Sequence, residues 1–338
     1  RSFASDNNSG VHPEVMAAII EANRDHAAGY GDDRWTERAA ECVRQVFGEE
    51  ARPFFLFNGT GANSVALQAV TRSFHSILCA ATAHIYVDEC NAPARMTGCQ
   101  LIAVATPDGK LTPDLLRPHL QHFGDCHHAQ PGAVYISQAT GLGTLYTVEE
   151  VRAIASLVHA HGMKLHMDGA RLANACAALG CTMREVTVDA GVDILSLGGT
   201  KNGMMMGEAV VAFREEVAAD IKYYRKQSAQ LASKMRYLSA QFIPYLDGLW
   251  LRNAQHANRQ ARRLAAALAR FPQLRLTQPV ETNQLFIAMP RTVIARLSER
   301  YFFYVWNEAA DEVRFVTSWD TTDEDIDALV DALAEIME

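Results

Sequence analysis

Apolar positions along this chain follow two periods that alternate. Helical spacing over 13–26 and 34–47 gives way to the strand-like PFFLF at 53–57. The loop NGTGAN follows, and then a helical pattern through Val65, Leu67 and Val70. Farther on, IYVDE (85–89), QLIAVAT (100–106), AVYISQAT (133–140), KLHMDGA (164–170), VDILSLG (192–198) and EAVVAF (208–213) read as strands. Helical patterns such as 147–161 lie between many of them. Strand and helix in alternation predict an α/β fold, a mainly parallel sheet covered by helices on both faces. After residue 250 the character changes. A long Ala/Arg/Leu helix (251–271) precedes short strands, QLFIAM and EVRFVTSW among them, and an acidic helix (323–338) closes the chain. The pattern predicts a large domain over 1–250, with an N-terminal arm, and a small α+β domain over 251–338.

A chain of 338 residues suits one large domain and one smaller one. Hydrophobic residues make up 49% and charged residues 21%, ordinary globular values, and the net charge of −8 gives no reason to expect nucleic acid or an anionic membrane as partner. No apolar run approaches a bilayer span, and RSFASDNNSG lacks the apolar core of a secretion signal, which makes the cytoplasm the default compartment. The seven cysteines are scattered and form no C-x-x-C pair, so they read as reduced, packed thiols, and no metal site is expected.

Chemistry concentrates where predicted strands end. Lys201 follows Gly198-Gly199 just beyond VDILSL, at the sheet edge where α/β folds bind ligands. It is either a surface lysine in a loop or an amine of depressed pKa able to form a Schiff base. The loop Asn58-Gly59-Thr60-Gly61 joins strand to helix, so its N–H groups suit an anion such as a phosphate. Its glycines also serve a plain tight turn, and G-x-G-A-N-S superficially matches a dinucleotide fingerprint. Asp168 and Arg171 flank another strand end and read as a buried ion pair or as site groups. An anion-binding loop, an aspartate and a lysine at one edge are together the three groups that pyridoxal 5'-phosphate requires.

These residues, with FASDN, FNGTGANS, TAHIYVDECNAPA, HMDGARLANA and LGGTKNGMMMGEAVV, resemble the low-specificity L-threonine aldolases. The resemblance runs along nearly the whole chain. It implies the fold-type-I architecture of pyridoxal phosphate enzymes, with a seven-stranded large-domain sheet, and cleavage of L-3-hydroxy amino acids to glycine and an aldehyde. It also implies a homotetramer, in which Lys222–Lys226 (KYYRK) could approach a neighbour's phosphate. By the same resemblance Lys201 is the Schiff-base lysine, Asp168 the pyridinium partner, and Gly59 and Thr60 phosphate contacts. His84 stacks on the cofactor ring, His128 lies beside the substrate hydroxyl, and Ser5, Arg171 and Arg314 hold the substrate carboxylate. Read from the residues alone, His84 and His128 are packed or loop histidines, and Arg314, a charge in an apolar strand, wants either a substrate carboxylate or a structural acid. The chain departs from the family at Gly141, which follows Gln138-Ala139-Thr140 where the branch sharing that motif usually has glutamate. Another pyridoxal reaction on the same fold, such as β-elimination from a cysteine derivative, is the alternative.

Overall fold

The computed structural model describes residues 1–337. Seven strands form the large sheet: β1 (Arg52–Leu56), β2 (His75–Ala80), β3 (Gln100–Val104), β4 (Gln130–Ser137), β5 (Lys164–Gly169), β6 (Ile194–Gly198) and β7 (Glu208–Ala212), in the order β1-β7-β6-β5-β4-β2-β3. Only β7 runs against the others, since it pairs antiparallel with both β1 and β6 while the remaining pairs are parallel. The carboxyl ends of six strands therefore share one edge, which puts the loops after β1, β2, β4, β5 and β6 side by side.

Most helical expectations hold where the caps specify them. Asp33 accepts the Trp35 and Thr36 N–H groups to start the helix Arg34–Phe47, and Thr147 with Glu150 forms a capping box on Val148–Ala160. IYVDE is a correction: it is the short helix His84–Val87, with Ile85 buried but Tyr86 and Val87 about half exposed. A central parallel strand would bury that whole apolar run, and the place in the sheet belongs to HSILCA at 75–80 instead.

A second sheet, of order β10-β11-β9-β8, is built from β8 (Arg275–Leu276), β9 (Gln284–Ala288), β10 (Tyr304–Asn307) and β11 (Glu312–Val316). It packs with Asp323–Met337 around its own core of Leu285, Val313, Phe315, Leu329 and Leu333. Phe3 of the N-terminal arm belongs to this core. The helix Trp250–Leu268 serves both cores, with Ala254 in the larger and Ala261, Leu264 and Leu268 in the smaller.

Candidate active site

Five strand ends meet in one cleft. Two adjoining cavities share Thr82 and His84 after β2, Arg171 after β5, Lys201 after β6, and Trp306 and Arg314 from the small sheet. The inner one also meets Gly59 and Asp168, and the outer one Ser5. Beyond β1, Asn58 caps the helix Gly59–Val70: its side chain accepts the Gly61 N–H at 2.8 Å and its carbonyl the Ala62 N–H at 3.0 Å. The N–H groups of Gly59 and Thr60 are thereby left at the positive end of a twelve-residue helix, a place for a phosphate. Gly61 permits a close approach, since a Cβ there would lie 2.4 Å from the Gln230 side chain. Lys201 sits in a tight turn between Gly199 and Gly203. Burial and the Arg171 charge hold its amine below the usual lysine range, against the pull of Asp6, Asp168 and Glu208.

Asp168, the last inward residue of β5, is buried and anchored three ways. It accepts from the Tyr135 hydroxyl at 2.5 Å, the Asn63 amide at 3.0 Å and the Ala170 N–H at 2.9 Å. Burial alone would raise its pKa, but the Tyr135 hydroxyl, the Lys201 charge and the Ala170 N–H outweigh it and keep the carboxylate ionised. Beneath it lies His166, fully buried, with Nε2 2.9 Å from the Ser196 hydroxyl and Nδ1 without a partner among the described residues. Burial lowers its pKa to about 4, only partly opposed by Asp168. A histidine depressed in the folded state contributes stability above its unfolded pKa and loses it as pH falls toward the folded one. We therefore expect about 2–3 kcal/mol of stability to disappear between pH values of about 6.5 and 4, and thermal melts of His166→Gln to lose that part of the acid sensitivity.

The arginines divide. Arg171 donates Nε and one Nη to Asp6 at 2.8 and 2.9 Å, and Asp6, wholly buried, also takes the Asn283 amide at 2.9 Å. The structural ion pair thus exists, but with Asp6 of the arm rather than Asp168, and the expected carboxylate clamp at Arg171 is reduced to its remaining Nη1. Ser5 stands beside this pair, its hydroxyl accepting the Asn7 N–H at 3.2 Å. Among the described residues Arg314 has no carboxylate partner. One Nη donates to the Ala4 carbonyl at 3.1 Å, its buried Nε has no partner among them, and its guanidinium lies 4.6 Å from the Trp306 ring and 5.6 Å from Tyr304. Burial, with Arg171 nearby, lowers its pKa to about 10, so it stays charged and in want of an anion.

A family model described as beta-eliminating lyase matches residues 2–291 of this chain. The chain belongs to that family. It is 46% identical over 323 residues to a low specificity L-threonine aldolase of Pseudomonas aeruginosa, covering 95% of this chain and 93% of the relative. It is 43% identical to one from a Pseudomonas species over 339 residues, 100% and 98% of the two chains. A solved structure of the Leishmania major threonine aldolase superposes with a TM-score of 0.94 at 29% identity, covering 100% and 99%. The architecture is that of the fold-type-I pyridoxal phosphate enzymes.

Several residues of this family member were not legible beforehand. Glu89, fully buried, accepts from Asn63 at 2.8 Å and lies 2.8 Å from His84 Nδ1, which leaves the other ring nitrogen of His84 for the cleft. Glu208, at the start of β7 and near Lys201, has its carboxyl raised by burial to about 7. Gly141 lines the inner cavity, and a Cβ there would meet the Thr82 carbonyl oxygen at 2.7 Å, so this loop has no room for a larger residue. His128 is a correction. It precedes β4, at the edge opposite the cleft, where it bonds Asp125 and stacks on His122. The eight residues of β4 separate it from Ser137 at the cleft by about 26 Å, so it cannot reach a substrate hydroxyl in its own chain.

Proposed function

We propose that this chain binds pyridoxal 5'-phosphate on Lys201 and cleaves L-threonine, L-allo-threonine or related L-3-hydroxy amino acids to glycine and an aldehyde. The observation that carries the reading is the convergence of Lys201, Asp168, the free helix N-terminus at Gly59 and Thr60, and the unpaired Arg314 on one cleft. The residues fit the cofactor, since an ionised Asp168 suits a pyridinium, the helix end a phosphate, and a depressed amine an aldehyde. Bound there, the cofactor supplies an electron sink for the substrate's Cα–Cβ bond. Arg314, with Nη1 of Arg171 and the Ser5 hydroxyl, holds the substrate carboxylate and so fixes which bond faces that sink. His84 would pack against the ring of the bound cofactor and, steadied by Glu89 at Nδ1, takes the hydroxyl proton on its other nitrogen.

Two outcomes follow from these roles. His84→Phe keeps an aromatic face, so the cofactor stays bound while kcat falls about 100-fold. Arg314→Lys keeps the charge but not the planar fork, and KM for L-threonine rises about 10- to 100-fold with the cofactor spectrum unchanged. Steady-state kinetics beside absorbance spectra check both. Cofactor attachment is tested by borohydride reduction and peptide mass mapping, with the modified residue expected to be Lys201. Modification of another lysine overturns the assignment.

The proposal extends to a cytoplasmic homotetramer with a boundary near residue 250. The unpaired thiols suit a reducing compartment, and exposed Ile20, Phe74, Tyr223 and Phe302 supply apolar surface for subunit contacts. No helix among the described residues is long and apolar enough to cross a membrane. β-elimination from a cysteine derivative is the second reading, because it uses the same lysine, aspartate and phosphate site and is the chemistry in the family's description.

A further inference from the structure

Gln284, the first residue of β9, is 2% exposed, and neither polar atom of its side chain has a hydrogen-bond partner among the described residues. A buried amide in that state destabilises the fold. Its place explains it, because Gln284 borders the inner cavity together with Trp306 and Arg314. In the sequence it passes as the polar start of the strand QLFIAM.

The register of the small sheet sets the direction of this side chain. β9 and β11 pair antiparallel, with Phe286 opposite Arg314 and Gln284 opposite Val316. Side chains alternate across a strand, so Leu285, Ile287, Val313 and Phe315 enter the small core while Gln284, Phe286 and Arg314 share the other face. On that face Gln284 is the diagonal neighbour of Arg314, a separation that long side chains span. Phe286 meets the Trp306 ring edge-on at 5.4 Å, and the same ring lies 4.6 Å from the Arg314 guanidinium. The start of the strand is held from two sides. The Thr282 hydroxyl donates to the Gly143 carbonyl at 3.2 Å, and the Asn283 amide donates at 2.9 Å to Asp6, the carboxylate that pairs with Arg171. A Cβ on Gly143 would lie 3.3 Å from the Gln284 Cβ, so the loop after β4 closes over the glutamine.

We propose that Gln284 binds substrate, its amide donating an N–H to the carboxylate that Arg314 holds. The inference rests on the reading of this cleft as an amino acid site. Arg314 Nε and the Gln284 amide are both buried and without partners, and they stand on one sheet face at one cavity. A carboxylate drawn to the guanidinium therefore meets the amide as well. Arg171 gives two of its three nitrogens to Asp6, which leaves the carboxylate short of donors, and Gln284 supplies one. The amide is neutral, so it adds direction without a further charge. Substrate binding then offsets the cost of burying it.

The test is Gln284→Leu in the cofactor-loaded enzyme, titrated with two amines, glycine, which has a carboxylate, and methylamine, which has none. Each is followed by the change it causes in the cofactor's absorbance. The expected result is glycine binding weakened about tenfold or more and methylamine binding unchanged. The melting temperature should be no lower than that of the wild type, since leucine replaces an unpaired buried amide at similar volume. Gln284→Glu should weaken glycine at least as much, because its own carboxylate competes for Arg314. Equal glycine affinity in wild type and Gln284→Leu overturns the proposal, as does unchanged or tighter glycine binding by Gln284→Glu. Equal weakening of both amines also overturns it, because the amide then serves the cofactor or the fold. The outcome is independent of which bond the enzyme breaks, since glycine binds without a Cβ to cleave or eliminate from. Equal affinity of the wild type for the two amines would instead remove the amino acid reading of the cleft, and this assignment with it.

Discussion

Lys201→Ala is expected to lower the turnover of L-threonine by on the order of a thousandfold or more, because among the described residues no second amine lines the cleft. Lys110 is engaged with Glu150 and Lys164 with Asp193 and Glu216, each within 4 Å, and neither borders either cavity. The substitution removes a side chain from a tight turn and leaves the surrounding strands intact, so the melting temperature of the cofactor-free protein should change little. Single-turnover assays with added pyridoxal phosphate measure the loss. Activity within tenfold of the wild type would remove Lys201 from the site.

Asp168→Asn is the second large effect. The amide keeps the shape of the carboxylate, yet it can no longer hold a pyridinium proton by charge, and kcat should fall by on the order of 10²–10⁴-fold. It also disturbs a buried set: the Tyr135 hydroxyl at 2.5 Å and the Asn63 amide at 3.0 Å share Oδ2 of Asp168 while the Ala170 N–H takes Oδ1 at 2.9 Å, and an asparagine offers a single acceptor oxygen. The helix end at Gly59 and Thr60 still holds the phosphate, so the cofactor binds more weakly without being lost. Spectral titration with pyridoxal phosphate separates the two effects. Unchanged kcat in this variant would leave Asp168 as the anchor of a structural network and nothing more.

What could be read in advance depended on distance along the chain. Asp168 sits near the end of an apolar strand, and Lys201 and the Asn58 loop sit just past others, so local pattern placed all three at one edge. The partners that finish the site did not show, because they are brought together by the fold: Asp6 reaches Arg171 across 165 positions and Asn63 reaches Asp168 across 105. IYVDE misled because three β-favouring residues, Ile85, Tyr86 and Val87, look alike in a strand and in a single half-exposed helical turn. His128 misled for a different reason. A residue just before a parallel strand lies at the edge opposite the one just after it, and that rule, applied to AVYISQAT, separates His128 from the cleft without any structure. Gly141 was visible only as a departure, and its cause, the Thr82 carbonyl 2.7 Å from an added Cβ, is a contact between two loops.

The central claim is that this cleft breaks the Cα–Cβ bond of a 3-hydroxy amino acid, and product stoichiometry tests it most directly. Purified enzyme with pyridoxal phosphate and L-threonine should release glycine and acetaldehyde in equal amounts, with neither ammonia nor a keto acid formed. Release of 2-oxobutyrate and ammonia in place of glycine would contradict the account and assign the same lysine, aspartate and phosphate site to elimination.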